Sequence, residues 1–397
     1  MKVSVEKIRN VFWIVIAFLM LFTYNTATYN LIRIPLPVTI TYPIELVILL
    51  VIFFVMLNVG HVRVDVLFIL MFFRTLLFTV GFLVHENSID NIPRYLAVIL
   101  WPLIYSIMCA TPFDEKKKEN ILKFAELTCL IISIQSIISS LRALTSGMNV
   151  DYVKNYMRIP IAPSNTITCY LLLILPFVFF LEEKKTRKYL LTLVALLAIL
   201  LTRSMSGIMV SFILVLFALN EQKRYRVFKA VIVIIVAIGA VMVINSYMPT
   251  FFQRYINRFV ALLTGGSEVA LNGRIQLYSQ GVELAKDVFP WGYGVSYMSH
   301  LNDNLVHNWI IETFLQEGLL NFILVISIFV ICFTRLYVNR KNIVCKSALI
   351  SLILVLIQAM VEPSITAFTF DFFFITFVSV GLNCCGYKHY SNVRKYE

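Results

Sequence analysis

The stretch Leu200-Leu201-Thr202-Arg203-Ser204-Met205-Ser206-Gly207 joins two apolar runs, 188–202 and 205–220, with only Arg203-Ser204 between them. Two segments apolar enough to cross a bilayer, separated by so short a link, read as a helical hairpin whose tip turns at the membrane surface. The tip sets one cation among several hydroxyls. It is either a polar hairpin end with a snorkelling arginine or part of a binding site.

Working outward, the same apolar texture fills the chain. Hydrophobic residues make up 59% of it, charged residues 14%, and the mean hydropathy is +0.83. That composition excludes a soluble domain of this length, because the bilayer must serve as the solvent. Runs of roughly 15 to 25 residues occur near 11–31, 43–58, 64–84, 93–111, 121–144, 164–181, 188–202, 205–220, 227–247, 306–334, 344–361 and 364–384. An all-α, polytopic integral membrane protein of about twelve transmembrane helices is therefore expected. The whole chain, 1–397, reads as a single membrane domain with one large late loop, 248–305, between the ninth and tenth spans.

The formal net charge is +12, which in a soluble protein would suggest nucleic acid. Here the basic residues sit in short links between spans, so no nucleic-acid partner is expected and orientation explains the charge. With the N-terminus inside, roughly 23 of the 34 Lys and Arg fall on the cytoplasmic side, as the positive-inside rule requires. Both termini are then cytoplasmic and the 248–305 loop is external. The first apolar run lacks a small-residue cleavage site and reads as an uncleaved first span. The seven cysteines fall in spans or on the cytoplasmic side, so neither a disulfide framework nor a metal site is indicated. Internal repeats and the glycine patterns of nucleotide-binding loops are likewise missing from the sequence, and no cofactor is expected.

The external loop opens with an amphipathic stretch, 249–263. Phe251, Phe252, Tyr255, Ile256, Phe259, Val260 and Leu263 recur at helical spacing, with Arg254 and Arg258 four apart on the other face. It reads as a helix lying on the membrane. A second short helix is expected from Arg274 to Asp287, ended by Pro290. Arg74, near the centre of the third span, would cost about 3 kcal/mol if left unpaired. Asp371 and Glu362 are its expected partners, in a buried structural pair or around a substrate anion.

Most of the candidate chemistry lies between Asn272 and Gly318. His307 and Asn308 stand at the mouth of the tenth span, followed by Glu312 and Glu317. A histidine there can take a proton from a hydroxyl, a role typically worth about two to four orders of magnitude in rate. Arg274, Arg254, Arg258 and, on the neighbouring hairpin, Arg203 can grip phosphate oxygens without losing charge. Several arginines with one histidine are suited to holding a lipid-linked diphosphate leaving group while an incoming sugar hydroxyl is deprotonated. In Pro290-Trp291-Gly292-Tyr293-Gly294 the glycines permit close approach by a ligand, and Trp291 and Tyr293 can stack on sugar rings.

The order Gly273-Arg274, a short helix, Pro290-x-Gly292-x-Gly294, His307-Asn308-x-x-x-Glu312 and Glu317-Gly318-Leu319 resembles the O-antigen polymerase and O-antigen ligase superfamily. The specific likeness covers about 272–319. It implies a GT-C-like glycosyltransferase of the bacterial inner membrane, metal-independent, taking glycan from an undecaprenyl diphosphate-linked oligosaccharide at the periplasmic face, with a chain-length regulator protein as a further candidate partner beside membrane lipids. By the resemblance Arg274 contacts the diphosphate and His307 is base or acceptor-positioning residue; together they are the catalytic candidates. Arg203, Arg254, Arg258, Tyr293, Asn308 and Glu312 are the candidate substrate-binding residues. Relatives often carry Ser-Arg after the short hairpin. Here that register reads Ser204-Met205, with Arg203 just before it, so Arg203 either replaces the family arginine or the contact is missing. A polymerase is the first reading and a ligase to lipid A core the second. A glycan transporter or flippase is a third, disfavoured because the distinctive residues are external rather than at the midplane.

Overall fold

The computed structural model describes residues 10–11, 13–17, 23–24, 34–58, 62–84, 92–111, 113–145, 164–202, 204–221, 253, 257, 260–261, 264, 274–287, 290–301, 306–361 and 368–393. Among them are two short strands, β1 (Thr23–Tyr24) and β2 (Ile34–Pro37). The α-helices follow in order: α1 (Val38–Asn58), α2 (Val66–Val84), α3 (Ile92–Cys109), α4 (Glu115–Thr145), α5 (Ser164–Leu181), α6 (Lys185–Leu201), α7 (Met205–Glu221), α8 (Arg274–Ala285), α9 (Trp309–Val338), α10 (Ile343–Ala359) and α11 (Phe368–Val393). A 3-10 helix, Gly294–Leu301, precedes α9.

Among the described residues three stretches are long and apolar enough to cross a membrane by themselves, Val66–Val84, Glu115–Leu141 and Trp309–Val338, alongside shorter apolar helices. Helix is the open-chain conformation that satisfies every backbone polar group within its own segment, which is why apolar runs take it in lipid. α2 shows the resulting sidedness. It buries Leu67, Met71, Arg74, Phe78 and Gly81 and turns Phe72, Phe73, Leu76, Val80 and Leu83 outward. The one charge is inside, and the outward face is made of large apolar side chains, the reverse of a water-facing helix.

One expected span is corrected. The run 11–31 does not continue as a single helix: residues 13–17 are helical, but Thr23–Tyr24 pairs in parallel with Ile34–Pro37. Thr and Tyr are weak helix formers and good strand formers, and this run ends in a Thr- and Tyr-rich segment. Among the described residues the fold is thus helical apart from this small ribbon. The predicted ninth span, 227–247, and most of 249–263 lie outside the described residues. Residues 253, 257 and 260–261 are helical, and Gln253 donates to Asn257 one turn on, 3.0 Å.

The core is aromatic and centres on α11, whose Phe370, Phe372, Phe373, Phe374 and Phe377 are fully buried. α11 packs chiefly on α3 and α10, and α5 on α10 and α4. Small residues allow the closest approaches, as in other membrane bundles. A Cβ on Gly381 would lie 2.3 Å from Ala348 Cβ across the α10–α11 contact, and one on Gly207 would lie 2.6 Å from Thr168 across the α7–α5 contact.

The two ends of the bundle differ. At one, Asp65 accepts from Tyr105 (2.8 Å) and Arg335 (2.9 Å), and its other oxygen accepts from the Leu67 and Phe68 amides that start α2. Burial acts to raise the Asp65 pKa, but the bonds from Arg335, Tyr105 and Phe68, with the charge of Arg63, outweigh it and hold the carboxyl below its ordinary range. At the same end Arg187 reaches Glu126 (2.5 Å) and Glu182 (3.6 Å), and Lys346 lies over the Phe180 ring, 4.9 Å away. The opposite end carries the Thr202–Ser204 hairpin tip, α8 and the start of α9.

Candidate functional site

α8 begins at Arg274 and turns off at Lys286-Asp287, close to the expected bounds. It docks through one face. Arg274 Nη1 donates to the Val361 carbonyl. One turn later the Tyr278 hydroxyl lies 3.3 Å from both the His307 and the Met360 carbonyls. Gly281 is buried because a side chain there would press on Val306 and Ile311, each 3.0 Å from a Cβ.

His307 is half-buried and adopts φ 57°, a left-handed conformation uncommon for residues other than glycine; such outliers cluster at functional sites. It is followed by Asn308, whose Oδ1 accepts from the Ile310 and Ile311 amides at 3.0 and 3.2 Å and so caps α9. Asn308 Nδ2 also donates to the Met360 carbonyl, 3.4 Å. The structure therefore shows Asn308 as a helix cap tied to α10. Glu312, on the first turn of α9, is 1% exposed and sits at the positive end of the helix dipole. Its carboxylate is inside the fold, not on the open face.

The hairpin tip reaches the same place by another route. Ser204 Oγ accepts from the Gly207 amide, 3.2 Å, at the start of α7. Gln358, the last polar residue of α10, donates to Ser206 Oγ (2.9 Å) and Thr168 Oγ1 (3.4 Å). The end of α10, Gln358 to Val361, is thus a hub at which the hairpin, α8 and the start of α9 all meet. Arg203 itself, like Arg254 and Arg258, lies outside the described residues. Motif spacing does not point to this hub; its sequence signal is a glutamine near the end of a mostly apolar span.

The glycine-rich turn has a different use from the expected one. α9 breaks at Gly318, which takes φ 73° and ψ 178°. In an unbroken helix the Leu315 carbonyl would accept from the amide four residues on. Instead it accepts from Tyr293, 2.7 Å. Gly292, φ 76°, and Gly318 face each other so closely that a Cβ on either would lie 2.6 Å or less from the other's backbone neighbourhood. What approaches these glycines is the backbone of α9, not a ligand. Tyr293 is half-buried and packs at a tilt against His300, ring centroids 4.4 Å apart.

Arg74 also differs from expectation. Its partner is Glu317, gripped by Nε at 2.9 Å and by Nη2. Asp371 instead accepts from Trp101 Nε1, 2.8 Å, and the Arg74 guanidinium lies 4.2 Å over the Trp101 ring. Glu362 is outside the described residues. The pairing follows from α2 packing on α9, a contact the sequence alone does not reveal.

Among the described residues no three of His, Cys, Asp and Glu converge as metal ligands. An apolar groove of about 330 Å³, lined by residues such as Trp13, Ile14, Phe124 and Leu127, lies near Lys117 at the other end of the bundle. It holds none of the candidate site residues.

What the site end offers is a fixed cation, Arg274, and a strained, half-buried histidine held against one hub. No curated protein matches the chain. A family model described as O-antigen ligase matches residues 189–326, a segment that runs from α6 through the hairpin, Arg274, the glycine turn and His307 into α9. That match, over the elements that build the site, supports a relationship to the O-antigen polymerase and O-antigen ligase superfamily.

Proposed function

We propose that this protein is a polysaccharide polymerase acting at the periplasmic face of the bacterial inner membrane. It moves glycan from an undecaprenyl diphosphate-linked donor onto a lipid-linked repeat unit, whether of O antigen or of capsule. The observation that carries this reading is the docking of Arg274 and of the His307 segment against one hub, at the end of the bundle opposite the Arg63, Arg187 and Arg335 ion pairs.

In this reaction His307 accepts the proton of the acceptor hydroxyl as its oxygen attacks the anomeric carbon of the donor. The bond from that carbon to the diphosphate breaks, and the diphosphate departs with the electron pair. Arg274, with Arg203, Arg254 and Arg258, neutralises the charge that builds on it. The bond to Val361 fixes the aim of Arg274, whose guanidinium presents its donors in a planar fork suited to phosphate. Tyr293, on the loop beside this site, supplies an aromatic face for a sugar.

The family description favours a second reading, transfer of finished glycan to lipid A core. A deletion strain separates the two: loss of a polymerase leaves core capped by one repeat, and loss of a ligase leaves bare core with carrier-linked polymer. His307→Ala and Arg274→Ala, scored for product length and for membrane abundance together, test the site. Normal polymer from abundant His307→Ala protein would overturn the catalytic assignment. Transbilayer movement of glycan without bond formation by the reconstituted protein would replace it with transport.

A further inference from the structure

We infer that Arg74 and Glu317 are positioning residues, which seat the Pro290–Gly294 turn in the break of α9 and thereby hold the His307 segment; this rests on the functional reading above. The ion pair is deep in the bundle, its side chains 3% and 1% exposed, and touches none of the candidate catalytic groups. Its place in the chain is what matters. Glu317 immediately precedes Gly318, where α9 departs from helix. A two-pronged arginine–carboxylate contact fixes rotation as well as separation, so it sets the angle of α9 about its own axis at the break.

α2 holds the other side of the turn. Arg74, Phe78 and Gly81 share its buried face. The Trp291 carbonyl lies against Gly81, 3.5 Å from where a Cβ would be. One helix thus grips α9 at Glu317 and receives the turn at Gly81, with the Tyr293–Leu315 bond between these contacts. The part of α9 between the break and its cap, Trp309 to Glu317, carries Asn308 and His307 at its N-terminal end. Released from Arg74, α9 can reclose the Leu315 carbonyl onto its own amide and shed the turn. The base then moves relative to the diphosphate site.

Buried ion pairs contribute little net stability when both partners are replaced by apolar residues of similar volume. The test is therefore the double variant Arg74→Met/Glu317→Met, reconstituted and supplied with lipid diphosphate-linked oligosaccharide. A packing role predicts a protein as active as its parent. Positioning predicts a melting temperature within about 3 °C of the parent, with kcat falling roughly tenfold to a hundredfold and KM for the donor within about twofold. Amide hydrogen exchange supplies a readout independent of catalysis. The Tyr293 amide should exchange at least about tenfold faster, while α10 stays as protected as in the parent. Unchanged protection at Tyr293 overturns the inference. If the parent forms no glycosidic bond the functional reading fails, and the exchange result still decides the role of the pair. Should the double variant not accumulate, Arg74→Lys, which keeps the charge but loses the fork, is measured by the same exchange experiment with the same criterion.

Discussion

Gly318→Ala should cost this protein far more than Gly81→Ala, although both glycines lie against the Pro290–Gly294 turn. The new Cβ would stand 2.1 Å from the Pro290 carbonyl oxygen, 2.5 Å from the Gly292 nitrogen and 2.5 Å from the Trp291 carbonyl carbon. All three are backbone atoms, so no side chain can swing aside. If the turn stays, alanine must occupy φ 73°, ψ 178°, a region open essentially to glycine alone and costing about 1 to 3 kcal/mol, before any overlap is counted. If the turn leaves, the Tyr293–Leu315 bond goes with it, a loss of about 1 kcal/mol, together with the contacts of Pro290 and Trp291. The gain in helix propensity of alanine over glycine, about 1 kcal/mol, offsets only part of this. A net loss on the order of 3 kcal/mol is expected. Gly81→Ala is the control, because its Cβ would meet only the Trp291 carbonyl at 3.5 Å, an ordinary contact, inside a regular helix. Thermal unfolding of the detergent-solubilised proteins reads both, and on the proposed function so does polymer length in cells. Gly318→Ala protein that melts with the parent and makes full-length polymer would refute the reasoning, as would damage from Gly81→Ala alone.

Asp65, held below its ordinary pKa in the folded protein, contributes stability that is fully present above its unfolded value and is lost as pH falls through the folded one. Acid unfolding monitored below about pH 4 should therefore show a limb that Asp65→Asn flattens, with a cost at neutral pH of about 2 kcal/mol from its weakened bonds to Arg335 and Tyr105; an unchanged acid limb would exclude Asp65 as its source. Gln358→Leu removes the donor that ties Ser206 and Thr168 to α10 and should lower stability by about 1 to 2 kcal/mol. It should also shorten polymer at normal membrane abundance, and full-length product would show that the hairpin is positioned without it.

Much of the architecture is legible in the sequence because lipid leaves the backbone few choices. The bounds expected for the spans at 164–181, 188–202 and 205–220 fall within a few residues of α5, α6 and α7, and the short helix beginning at Arg274 is α8. The first run departs from its expected span at Thr23–Tyr24, where local strand preference prevails over overall apolarity. The candidate residues His307 and Arg274 stand out as polar groups in an apolar chain. Their shared support does not, since Val361, Met360 and Gln358 contribute carbonyls and one amide that no spacing rule marks.

Composition and charge placement by themselves determined a bundle of apolar helices with its polar chemistry gathered late in the chain, because burial in lipid depends on how many apolar residues occur in succession. The order of motifs from Arg274 to Gly318 carried the resemblance to the O-antigen polymerase and ligase superfamily. Only the tertiary structure decided that Arg74 answers to Glu317, and that the paired glycines admit backbone to backbone. Only it decided that the hairpin, α8 and the His307 segment converge on one end of α10. Those facts depend on which helices are neighbours and at what angle, and a periodic pattern says which face is turned inward without saying what it meets there.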